Sequence, residues 1–152
     1  MACMHEETFN IYNRDQDIMP DGYVAIDDLI APAIQVLNRK GYLTAGCCSG
    51  HPFSDSISYD GTKTKFKVLY GQRMYYSHVV FKEGVSLPSM PPGFTASFKS
   101  VYAPDMETET GRVIVIEKEI NNGSNFLKNF RIILETMEQL YEWALGLPDF
   151  VK

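Results

Sequence analysis

Residues 27–45, Asp-Asp-Leu-Ile-Ala-Pro-Ala-Ile-Gln-Val-Leu-Asn-Arg-Lys-Gly-Tyr-Leu-Thr-Ala, change period once, and that change decides the fold class. Up to Arg39, the apolar residues Leu29, Ile30, Ala33, Ile34 and Leu37 recur at helical spacing and predict one buried helix face. Asp27 or Asp28 is placed to cap that helix and to set negative charge at the positive end of its dipole. Pro32 fits only in or near the first turn, where its missing N–H is not needed. Lys40-Gly41 then supplies a last-turn cation and a terminating glycine, and Tyr42 to Ala45 reads as a strand.

On either side of this unit the patterning is mixed. Tyr23 to Ile26 predicts a short edge strand, and residues 1–22 read as an irregular N-terminal segment ending in the turn signal Met19-Pro20-Asp21-Gly22. Downstream, Thr64 to Tyr70 alternates, with Lys63, Lys65 and Lys67 on one face and Phe66 and Val68 on the other. Further strands are predicted at Tyr76 to Lys82, Phe94 to Tyr102 and Arg112 to Ile120. Between two of these, Ser86 to Gly93 holds three prolines that would remove ladder donors, so it is a loop.

After Asn121 to Ser124, apolar residues at Phe126, Phe130, Ile133, Leu134, Met137, Leu140, Tyr141 and Ala144 predict an amphipathic helix that Gly146 and Pro148 stop. The expected fold is therefore α+β, a mostly antiparallel sheet of about five strands packed against two helices, in one domain spanning residues 1–152. Leu127, Ile132, Trp143 and Leu145 widen the apolar surface of the last helix beyond its main stripe, which predicts a homo-oligomer.

The charge balance narrows the function. A net charge of −5 argues against general binding to nucleic acid or to an anionic membrane surface, both of which need a basic excess. No apolar run is long enough to span a bilayer, and the N-terminus lacks the basic start and apolar core of a secretory signal. A cytoplasmic protein is expected. Its three cysteines are an odd number and two are adjacent, so thiols rather than disulfides are expected.

The stretch Gly46-Cys47-Cys48-Ser49-Gly50-His51-Pro52 concentrates the reactive residues. A zinc site would need a second pair of ligands at short spacing, and the sequence has none, so no metal and no cofactor is expected. A thiol enzyme would use Cys48 as nucleophile and His51 as base, provided the loop folds back on itself. A third reading is an anion nest, in which small residues turn their N–H groups to one point and Ser49 and His51 add side-chain donors. The basic run of Lys63, Lys65, Lys67 and Arg73 would be the natural phosphate partner of such a loop. Tyr12, Tyr23, Phe53, Tyr70, Tyr75 and Tyr76 are candidates to stack on a base.

The stretch from Ile30 to His51 resembles small proteins of Gram-positive bacteria and their phages that share a helix, a Lys-Gly-Tyr turn and a Cys-x-Gly-His loop. It is also similar to wybutosine-synthesis methyltransferase-like proteins, in which a strand ends in Ser-Cys-Ser-Gly-Arg. Here Cys47 replaces the first Ser of that loop and His51 the Arg, and no glycine-rich adenosylmethionine motif follows. The first resemblance implies a pocket at Cys48, Ser49, Gly50 and His51 for a nucleotide-like molecule.

The leading expectation is a small protein that binds and sequesters a phosphate-containing nucleotide derivative without turnover, as a phage-type sponge for a host signal would. Its ligand residues would be Cys48, Ser49, Gly50, His51, Lys65, Lys67, Arg73 and Tyr75. The alternatives are a nucleotide- or RNA-directed enzyme using Cys48 and His51 or a methyltransferase-like site, and an inhibitor that docks on another protein.

Overall fold

The computed structural model describes residues 1–13, 19–52, 76–120 and 126–152. Among these, seven strands and two helices follow in the order β1 (Ala2–His5), β2 (Ile11–Asn13), β3 (Tyr23–Ile26), α1 (Ala31–Arg39), β4 (Thr44–Cys48), β5 (Tyr76–Phe81), β6 (Thr95–Tyr102), β7 (Glu109–Glu119) and α2 (Phe126–Gly146). The fold is α+β, but its strands form two antiparallel sheets rather than the single five-stranded one expected. One has the order β2-β1-β3 and the other β4-β5-β7-β6. The strand expected at 64–70 lies outside the described residues.

The first sheet corrects the reading of residues 1–22 as irregular. Its central strand β1 is Ala2-Cys3-Met4-His5, and Ala2, Cys3 and Met4 are all buried. A strand covered on both faces shows no polar–apolar alternation, and four residues are too few to signal otherwise. The expected turn at residues 19–22 is present, with Gly22 at φ +80° and the Tyr23 N–H donating to the Pro20 carbonyl at 3.3 Å.

Helix α1 starts two residues later than its apolar spacing suggested. Its N-cap is Ile30, without a side-chain cap, and Pro32 sits in the first turn as required. Neither aspartate caps it. Asp27 turns toward the Gly46–Pro52 loop and Asp28 pairs with the Met1 amino group at 3.3 Å. Leu29 consequently lies outside the helix and is exposed.

A continuous apolar core joins both sheets and both helices. It contains Met4 and Ile26 from the first sheet, Ile30, Ile34 and Leu37 around α1, Val79, Phe81 and Ile116 from the second sheet, and Ile133, Leu140 and Ala144 from α2. Each fully buried Leu, Ile or Phe contributes about 1.5–3 kcal/mol. Strand β5 shows the expected two-residue period, Ser77, Val79 and Phe81 being buried and the residues between them half-buried.

The α2 expectation needs one correction: Ile133, Met137, Leu140 and Ala144 are buried, whereas Phe126, Phe130, Leu134 and Tyr141 are exposed. Of the extra apolar residues, Ile132 and Trp143 pack against the core, while Leu127 and Leu145 face solvent. No helix among the described residues is long and apolar enough to cross a membrane.

Both helices end at one corner. The Lys40 ammonium donates to the Leu145 and Leu147 carbonyls, and the Tyr42 hydroxyl donates to the Pro148 carbonyl at 2.8 Å. The Phe150 N–H returns to the Lys40 carbonyl at 2.8 Å, and its ring packs 5.3 Å from that of Tyr42. Lys40 thus satisfies carbonyls that the end of α2 leaves open, rather than acting on its own helix.

Candidate functional site

Strand β4 carries the chain from the buried corner to the loop. A bulge at Ala45 breaks its register with β5, so Gly46, Cys47 and Cys48 pair with Val80, Val79 and His78. Asn38 of α1 fixes the start of this strand. Its amide donates to Thr44 Oγ1 at 2.8 Å and its carbonyl accepts the Thr44 N–H at 3.0 Å.

Beyond Cys48 the loop folds back, as the nucleophile reading required. The Ser49 N–H and hydroxyl converge on one carboxylate oxygen, Asp27 Oδ2, at 3.1 and 3.2 Å. The Ser49 carbonyl accepts the Ser77 hydroxyl at 2.7 Å, and the Gly50 N–H donates to Cys48 Sγ at 3.3 Å. The anion that the two Ser49 donors meet is therefore the protein's own. Ser49 and Gly50 are buried and brace the loop. Gly50 has φ +95°, and a Cβ there would lie 2.6 Å from Ile120 Cδ1. Asn129 of α2 holds the next turn by donating to the Pro52 carbonyl at 3.2 Å.

One thiol and the imidazole meet, in a setting that disfavours charge on both and on the neighbouring Cys47. Cys48 Sγ lies 3.6 Å from His51 Nε2. Burial, followed by the neighbouring Asp27 and Cys48, pushes the Cys47 thiol up to about 12. Burial also pushes Cys48 up to about 11, against the opposing Gly50 N–H, with Asp27 adding to the rise. His51 is lowered by burial, against the pull of Asp27. A nucleophilic thiolate needs the opposite environment. All three cysteines are free, and among the described residues no group of three or more His, Cys, Asp or Glu could hold a metal ion.

A hollow of about 330 Å³ lies beside the loop, lined by Asp27, Asp28, Met1, Leu29, Ser49, Gly50 and His51. Its charges are the Asp27 and Asp28 carboxylates and the Met1 amino group that pairs with Asp28, a net negative wall that disfavours a phosphate. On the other side of β4, a cleft of about 340 Å³ opens between the two sheets, where the edge strands β3 and β4 face each other. Its walls are mostly apolar, from Met4, Phe9, Val24, Ile26 and Ile34, with Cys47 and the Ala45 bulge along one edge. Glu6 and Lys82 bring charge to it.

Phe9 stands at φ +57°, a conformation that costs a bulky side chain about 1–2 kcal/mol. The Phe9 N–H donates to the His5 carbonyl at 2.9 Å, and Gln35 of α1 donates to the Phe9 carbonyl at 2.9 Å, which together hold that turn.

Of the residues singled out in the sequence, Cys48, Ser49, Gly50 and His51 are brought together. Lys63, Lys65, Lys67, Arg73, Phe53, Tyr70 and Tyr75 lie outside the described residues. Tyr12 and Tyr23 meet edge to face with centroids 6.0 Å apart, on the first sheet, and Tyr76 is half-buried at the start of β5. The cleft residues Phe9, Glu6 and Lys82 escaped the sequence reading, because two of them belong to a turn between strands that left no pattern. No protein-family model matches the chain, and no curated protein or solved structure does.

Proposed function

We propose that this protein binds a nucleotide-like small molecule in the cleft between its two sheets and holds it without turnover. The observation that carries this reading is the cleft itself. It is about 340 Å³, mostly apolar on its faces, with strand edges on two walls and one lysine balancing one glutamate among its lining residues. Ligand sites are commonly apolar concavities of this size with a few placed polar groups. A planar heterocycle suits such a slot, because the backbone of an edge strand offers N–H and C=O groups to the rim of a base. Phe9 supplies an aromatic face, and Lys82 supplies the cation that a phosphate would meet. Strained residues held by specific hydrogen bonds cluster at ligand sites, which gives the unusual backbone of Phe9 a reason.

The neutral Cys48–His51 pair supports binding over catalysis. A thiol raised to about 11 leaves roughly one molecule in ten thousand as thiolate at pH 7. Sequestration asks for no such group.

Mass spectrometry of small molecules released from the purified protein, followed by calorimetric titration with a panel of mono- and dinucleotides, tests the reading. At least one nucleotide is expected to bind and to be recovered unchanged. Lys82→Ala should weaken it about tenfold, as loss of one charged hydrogen bond predicts. Ala25→Trp, at an exposed position on the cleft wall, should block it. Absence of nucleotide binding, indifference to both substitutions, or conversion of the ligand would each overturn the proposal.

A further inference from the structure

Across α2 from its buried face runs a second stripe at alternating steps of four and three residues: Leu127, Arg131, Leu134, Glu138, Tyr141 and Leu145. All six are exposed, Leu127 at 75% and Leu145 at 50%. Such a 4-3 alternation is the seam of a two-helix coiled coil, and it covers about 27 Å at 1.5 Å per residue. The buried residues Asn129, Ile133, Thr136, Leu140 and Ala144 lie on the other side, so this stripe is surplus to the core.

The charges on α2 are ordered against its own dipole. Its first turn has no acid and its last turn no base. Lys128 and Arg131 lie in the first half, and Glu135, Glu138 and Glu142 in the second, where a helix prefers the reverse order. The three glutamates also stand three and four residues apart, so they repel one another on one helix. Lys40 of the other helix meets the carbonyl end of α2, but along the exposed stripe Arg131 precedes Glu138, and an external helix whose charges run the other way complements that order. A second copy of α2, laid antiparallel, has that order.

We infer that two copies of this chain associate through α2, packed antiparallel about a two-fold axis near its middle. In that register Leu127 of one copy layers on Leu145 of the other, and Leu134 on Glu138. Arg131 layers on Tyr141, one step from the partner copy's Glu138, within reach of both its ring face and its carboxylate. The opposed dipoles add to the attraction. A single helix seam is a small interface, at the low end of specific ones, so the dimer forms in the micromolar range. The inference does not depend on the ligand proposed above.

Sedimentation velocity of the full chain at micromolar concentrations tests it, with Arg131→Glu and Glu138→Arg as variants. The unaltered chain is expected to approach twice its 17.2 kDa mass as concentration rises. Each reversal creates two like-charge contacts across the two-fold axis and should weaken association about tenfold or more. Mixing the two variants should restore the dimer, because each then meets its opposite charge at both contacts. Both positions are exposed, so the thermal transition should be nearly unchanged. A single 17.2 kDa species throughout, a dimer that survives either reversal, or a mixture that fails to recover would each overturn the inference.

Discussion

Gly50 shows how a residue singled out in a candidate ligand loop also serves the fold. Its positive φ is cheap only without a Cβ, and the space a Cβ needs is filled by Ile120. Gly50→Ala is therefore expected to cost about 2–4 kcal/mol, from the left-handed backbone and from crowding a packed core. Urea denaturation measures this, and a loss below about 0.5 kcal/mol would mean that the loop relaxes freely. Ser49 follows the same logic, since three of its polar groups are engaged, two by Asp27 and one by Ser77. Small residues between glycines signalled a loop at the end of a strand, and that much was legible; its N–H groups part, Ser49 donating to Asp27 and Gly50 to Cys48 Sγ. The identity of the Ser49 acceptor was not legible, because Asp27 sits 22 residues away in sequence and looked like a helix cap.

At the level of elements, the two helices were legible because each carries a run at helical period, and β5 to β7 because each is rich in β-branched and aromatic residues. Of the first sheet only the edge strand β3, expected at Tyr23 to Ile26, was. Strand β1 is buried throughout and β2 has three residues, so neither offers a period to read, and their pairing with β3 is a tertiary choice. The Lys-Gly-Tyr turn was read as the end of one helix, yet it is the clasp between two. Lys40 meets the carbonyls closing α2, and Gly41 passes close to Phe150 at φ +94°. Lys40→Met keeps the aliphatic stem and removes the donor, leaving two carbonyls to water. The expected loss is about 1–2 kcal/mol. Hydrogen exchange should show it as faster exchange confined to the last turn of α2 and the Phe150 amide; uniform acceleration would mean a global rather than a corner effect.

On the scale of the whole molecule, β3 of one sheet and β4 of the other diverge around the cleft and are tied at one end by Asp27 and Ser49. The thiols beside that tie are held protonated and the imidazole is held neutral, so pH acts on the junction from two sides. Cys47 and Cys48 have folded-state values above the ordinary 9.0, so the folded state binds more protons than the unfolded chain above that pH. Their contribution is complete below about pH 9 and is lost as pH rises toward 11–12. His51 is shifted the other way, below 6.5, so the unfolded chain binds the extra proton and stability falls as pH drops through that region. A plateau between about pH 7 and 9 is the expected outcome, bounded by an acid limb from His51 and an alkaline limb from the thiols. Urea midpoints measured across pH will show it. Cys47→Ala should reduce the alkaline limb, leaving the part due to Cys48, and leave the acid limb, because Cys47 is the thiol pushed furthest. His51→Gln should flatten the acid limb alone. If both variants follow the unaltered chain at every pH, the groups around Asp27 do not govern the junction, and the neutral state of the thiol pair would lose its support.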